Sequence, residues 1–335
     1  MTRMRRIAPS IPLAVLLALP VTGCRRPPSL HEIGAFDTPG WAHDVALDGD
    51  RFYISDRQAG YHVYSRAPVS RLASFIPVKD LISLDPHGGA PLAAARFEGL
   101  VALSPAGEAR GRLPLGDDIA NAVVARGALA YVAFGLHGLV IARIEPERLQ
   151  LVSSLPTRGW SHDVKLWGER ALVADWDYGL RLVDVAQPEH PRELAVVPTA
   201  ATAIDIALGS SGGRPMAAVA EGHGGVSLVE LGDPPRLRVV GRATLGLDPS
   251  AHPHPVVGGW AHGVAWSGSY VFVANWKRGL AVLDVSDPRW PRVVAQSSTP
   301  GTALGVAAEP AGSGSDITVY LADGEAGLRI LTFRP

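Results

Sequence analysis

Ala274-Asn275-Trp276-Lys277-Arg278-Gly279-Leu280-Ala281-Val282-Leu283-Asp284-Val285 has a close counterpart upstream in Ala174-Asp175-Trp176-Asp177-Tyr178-Gly179-Leu180-Arg181-Leu182-Val183-Asp184-Val185. Both stretches put a short polar turn before a glycine and an alternating apolar run after it, which is the pattern of a tight β-hairpin feeding a strand. The same frame recurs around Gly60, Gly99, Gly138, Gly225 and Gly327, so seven glycines mark a period of about 40 residues. A repeat of that length decides the fold before any single element is assigned.

Each copy predicts four strands. Tyr270-Val271-Phe272-Val273-Ala274 precedes the hairpin, Asp287-Pro288 marks an outer turn, Arg292-Val293-Val294-Ala295-Gln296 follows it, and Trp260-Ala261-His262-Gly263-Val264 leads in. Seven four-stranded units describe an all-β, seven-bladed β-propeller. The last copy ends at Pro335 without an outer strand, while Ser29 to Pro39 has the character of one. An N-terminal strand is therefore expected to complete the last blade and close the ring, removing the open edge of the array. The second copy, Leu81 to Leu115, departs most from the pattern.

Composition agrees with this reading. Among 335 residues, 47% are hydrophobic and 19% charged, which excludes disorder as the main state, and 37 glycines with 28 prolines suit many short strands joined by turns. A net charge of -1 gives no electrostatic case for nucleic acid, and one cysteine excludes disulfide frameworks and multi-thiolate metal sites.

The phrases Gly279 to Pro288 and Gly179 to Pro188, Gly-Leu-Ala-Val-Leu-Asp-Val-Ser-Asp-Pro and Gly-Leu-Arg-Leu-Val-Asp-Val-Ala-Gln-Pro, resemble the LVIVD repeat of exported bacterial and archaeal propellers. The resemblance implies a propeller at the surface or in the periplasm and no defined reaction. Fold alone does not assign function.

Residues 1–23 read as an export signal, with Arg3, Arg5 and Arg6 before an apolar stretch from Ile11 to Val21 that is too short to span a bilayer. Val21-Thr22-Gly23-Cys24 resembles the bacterial lipobox, in which cleavage leaves a lipidated cysteine first; a plain secretory signal is the alternative. Residues 24–28 then form a lipidated tether and residues 29–335 the propeller. Loss of three arginines and no acids takes the net charge from -1 to -4, so membrane attachment falls to the lipid on Cys24. The expected address is the outer membrane of the cell envelope.

Candidate site residues fall on one face of the ring. The loops entering the blades carry Trp41 and His43, Trp160 and His162, Trp260 and His262, and the hairpin turns of the same face carry Asp56, Asp175, Trp176, Asn275 and Trp276. As a site, these make an aromatic pocket at the channel mouth, with polar groups for a ligand or a divalent cation. As structure, each histidine donates to the acceptor of its own blade, His43 to Asp56, His162 to Asp175 and His262 to Asn275, similar to the bonds of tryptophan-aspartate repeat propellers. Asp44, Asp163 and Asp205 recur beside the histidine position; a ring of such carboxylates is able to bind a cation near the channel, and solvated strand ends are the commoner explanation. His252 and His254 lie in a proline-rich insertion.

The sequence thus favours a non-enzymatic binding or scaffolding module with no required cofactor, whose partner on this face is a protein or a glycan. The alternative is a metal-dependent hydrolase of lactonase type at the channel mouth.

Overall fold

The computed structural model describes residues 27–245, 259–312 and 314–335, which form seven four-stranded antiparallel sheets. Each sheet is one blade, with consecutive strands running from the channel outward. The innermost strands are Ala42–Asp48, Leu81–Asp85, Ala120–Arg126, Asp163–Trp167, Asp205–Ser211, Gly263–Ser267 and Gly305–Pro310. The irregular second blade still has four strands, each only four or five residues long.

The seventh blade closes as its sequence predicts. Ser29–Phe36 pairs antiparallel with Leu328–Arg334, from Ser29 opposite Arg334 to Phe36 opposite Leu328. The leader, Cys24 and the prolyl insertion bearing His252 and His254 lie outside the described residues.

Packing follows from covering both faces of every sheet. The third strands Leu180–Asp184 and Leu280–Asp284 are buried at every position before their terminal aspartate, whereas the outer strand Arg192–Val197 is largely open to solvent. Inner strands therefore read as continuous apolar runs rather than strict alternation. Each of the seven hydrophobic clusters bridges one seam between neighbouring blades; at the closing seam Phe52 and Tyr64 of the first blade meet Tyr320 and Ile330 of the last. Phe52 stacks on Tyr64 at 5.0 Å and lies 4.6 Å from Tyr320 between ring centroids.

The marker glycines have φ between +75° and +84°, where an L side chain is strained. At Gly60 a Cβ would also stand 2.0 Å from the carbonyl oxygen of Phe75. The repeat is visible in sequence because this turn accepts only glycine.

Candidate functional site at the channel mouth

The turn carboxylates hold the entering loops. Asp56 accepts from the Gly40 amide at 2.9 Å and bonds His62 Nε2 at 3.0 Å. Asp175 takes the Thr157 hydroxyl at 2.6 Å, the Gly159 amide at 3.1 Å and Arg181 Nε at 2.5 Å. Asp323 does the same with Thr299 at 2.6 Å and Gly301 at 3.0 Å, with Arg329 Nε 3.7 Å away. Each acid has its partner six residues on, two past the marker glycine. In the sixth blade that position is Ala281, and the acid is replaced by neutral Asn275.

These bonds correct the expected pairings of His43 with Asp56, His162 with Asp175 and His262 with Asn275. Asp56, Asp175 and Asn275 are buried within their blades and do not reach the open face. The histidines instead turn into the channel and across the seams. His43 Nδ1 donates to the Ile82 carbonyl of the second blade at 3.1 Å, and His262 Nδ1 to Leu304 of the seventh at 3.0 Å. The two rings meet edge to face at 5.5 Å. The His162 ring makes no hydrogen bond among the described residues and stacks on Trp176 at 4.9 Å. Burial holds all three rings neutral, with His43 well below its ordinary value, His162 lowered to about 3 and His262 to about 4.

Below them the carboxylates already have a cation. Lys165 Nζ lies 2.8 Å from both oxygens of Asp163 and 3.7 Å from Asp205. Burial opposes the Lys165 ammonium, but Asp163 and Asp205 outweigh it and raise its pKa. Burial, then the Asp163 charge, raises Asp205 well above the carboxylate range, and burial raises Asp44 as well. The same carboxylates tie blades together, Asp163 accepting from Ile206 N at 3.0 Å and Asp205 from Val264 N at 2.7 Å. Sequence reading placed the acids and overlooked Lys165. Its signal was period two, which sets residues 163 and 165 on one strand face. The channel cavity these groups line measures about 70 Å³.

Above the channel a larger, mainly apolar recess of about 570 Å³ is lined by His162, Trp176, Ile204, Trp260, His262, Trp276 and Lys277. It straddles the fifth blade, where Ile204 replaces the histidine and Gly222-His223-Gly224 replaces the tryptophan turn. Trp176 stands on one side, and Trp260 and Trp276 on the other. Trp41 lies outside this recess, beside Gly324, as does Trp160. Trp176 and Trp276 have φ of +45° and +50°, while Gly135, Gly222 and Gly324 fill the equivalent position in other blades at +43° to +54°. A bulky residue at positive φ is a backbone outlier of the kind that collects at ligand sites.

The LVIVD repeat family matches residues 158–199 and 258–299. Two of the seven blades match the LVIVD repeat. These are the fourth and sixth blades, and between them they supply every lining residue of the recess except Ile204. The strained tryptophan and the stacked imidazole thus belong to the two blades that match the repeat, and the fifth blade supplies the gap between them. No curated protein matches the chain.

The fold is shared with distant propellers. The Myceliophteria thermophila Cps50 (Swd1) β-propeller domain superposes with a TM-score of 0.68 at 13% identity, covering 91% of this chain and 99% of its own. The RRP9 WD40 repeats give 0.67 at 11%, covering 92% and 99%, and the computationally designed Ika8 protein gives 0.59 at 10%, covering 86% and 82%. Such identities speak for architecture only.

Among the described residues no group of three His, Cys, Asp or Glu side chains is arranged to hold a metal ion. His262 Nδ1 is engaged by a carbonyl and the His162 ring stacks on Trp176, while Asp163 and Asp205 are engaged by Lys165 and backbone amides.

Proposed function

We propose that this protein is a non-enzymatic binding module of the bacterial cell envelope, anchored through lipid on Cys24, that receives a protein or glycan partner in the recess between its fourth and sixth blades. The observation carrying this reading is the pair Trp176 and Trp276, held at positive φ on either side of a blade that lacks their equivalent. Backbone strain is retained there while glycine serves the same turn elsewhere, which points to selection for the aromatic surface. Apolar walls with a few fixed polar groups are the usual make-up of a ligand pocket.

The polar groups favour binding over turnover. Asp163 and Lys165 neutralise each other at 2.8 Å, and the channel-mouth imidazoles are buried and neutral, with no carboxylate hydrogen-bonded to them among the described residues. A general base oriented by a carboxylate is the arrangement hydrolysis asks for.

The test compares wild type with a Trp176→Gly, Trp276→Gly double variant as bait for envelope glycan and protein fractions. Wild type should retain a fraction that the equally folded double variant loses. Equal retention by both would remove the recess as the site.

A further inference from the structure

We infer that the recess takes a neutral pyranose unit, stacked on tryptophan and donating hydroxyl hydrogens to the imidazoles beneath; the inference rests on the binding reading above and specifies its ligand class.

The imidazoles set the chemistry. A carbonyl oxygen only accepts, so the 3.0 Å bond to Leu304 places the proton of neutral His262 on Nδ1. Its Nε2 is then a bare lone pair, with no protein partner among the described residues. His162, stacked on Trp176, adds a second imidazole whose ring has no hydrogen-bond partner among the described residues. The floor therefore offers acceptors, and a complementary ligand must bring donors. A purely apolar ligand would bury these lone pairs unsatisfied.

Charge narrows the class further. Among the described residues lining the recess the one ionised side chain is Lys277, at the rim, and Glu325 matches it at 2.6 Å. An anion would meet lone pairs with no free ammonium to balance it, and a cation would meet no free carboxylate among these lining groups. A pyranose presents apolar C–H faces to the indoles and several O–H donors at its edge. A volume of about 570 Å³ lies within the roughly 300–1,000 Å³ of pockets for drug-sized ligands, the size class of a di- or trisaccharide.

The experiment titrates the full-length protein in detergent, following tryptophan emission and heat of binding. Probes are trisaccharides of glucose, galactose, mannose and N-acetylglucosamine, with tetramethylammonium as a cation and glucuronate as an anion. At least one neutral trisaccharide should saturate, bind tenfold or more weakly to Trp276→Gly, and lose a similar factor when the contacting hydroxyl is replaced by hydrogen in the sugar. The deoxy series leaves the protein unaltered, so its result does not depend on the folding of a variant. If no neutral sugar saturates, the inference is overturned. Tetramethylammonium or glucuronate binding that depends on Trp276, without sugar binding, would overturn it while leaving the recess as a binding site. If the capture by wild type and the double variant is equal, the underlying reading fails instead.

Discussion

Trp276 exchanges two backbone hydrogen bonds with Ala303 of the next blade, at 3.1 and 3.0 Å, while holding φ at +50°. Gly222 makes the same exchange with Ala261, and Gly324 with Ala42, at nearly the same φ. The bridge across the seam therefore needs the conformation and not the indole.

Trp276→Gly should accordingly leave stability unchanged or raise it by about 1 kcal/mol, because the αL strain of a bulky residue is relieved. Urea denaturation would measure this. A loss of several kcal/mol would mean that the indole is a core residue, and the argument for a surface kept for ligand would collapse.

The contrast between Asp175 with Arg181 and Asn275 with Ala281 predicts a double-mutant cycle. Arg181 is 4% exposed, and removing it as Arg181→Ala leaves a buried carboxylate unpaired, at about 3–5 kcal/mol. Adding Asp175→Asn recreates the sixth-blade pair and should recover most of that loss. Independent, additive effects in chemical denaturation would show that the two side chains do not act as a unit.

Two sets of channel groups give opposite pH dependences. His162 and His262 titrate at about 3 and about 4 when folded, against an ordinary 6.5, so the unfolded chain binds more protons in between. Their contribution is full above pH 6.5 and is lost as pH falls towards 3. Asp205 and Asp44 are raised above 3.8, so the folded chain keeps protons the unfolded chain releases, and their contribution falls as pH rises past 3.8. Asp205→Asn keeps an acceptor for Val264 N and removes one of the raised carboxyls. Its melting temperature should exceed that of wild type at pH 8, with the gap closing towards pH 4. A larger loss at pH 8 than at pH 5 would instead mean that Asp205 is ionised and stabilised by Lys165.

Cys24→Ser should abolish incorporation of labelled palmitate and release the protein from the membrane fraction. Continued labelling would rule out Cys24 as the attachment point.

What could be read from the chain alone was whatever repeats. The marker glycines are forced by positive φ and by the outer-strand carbonyl against them, so period, blade count and the completion of the last blade by Ser29–Phe36 were all legible. Of the residues expected on one face, Trp176, Trp260, Trp276, His162 and His262 line the recess, and Trp41 and Trp160 lie outside it. Partner choice was not legible, because it depends on which neighbour lies across a seam. Sequence proximity within a blade suggested His262 with Asn275, yet the ring turns to Leu304, and buried Asp175 meets Arg181 instead of His162. Lys165 among the channel acids, and the recess over Ile204, appear only when seven unequal blades are arranged in a ring. Repetition is a property of the sequence, whereas the recess arises where the fifth blade departs from it between two that do not, a difference in side-chain volume that becomes a cavity only through tertiary packing.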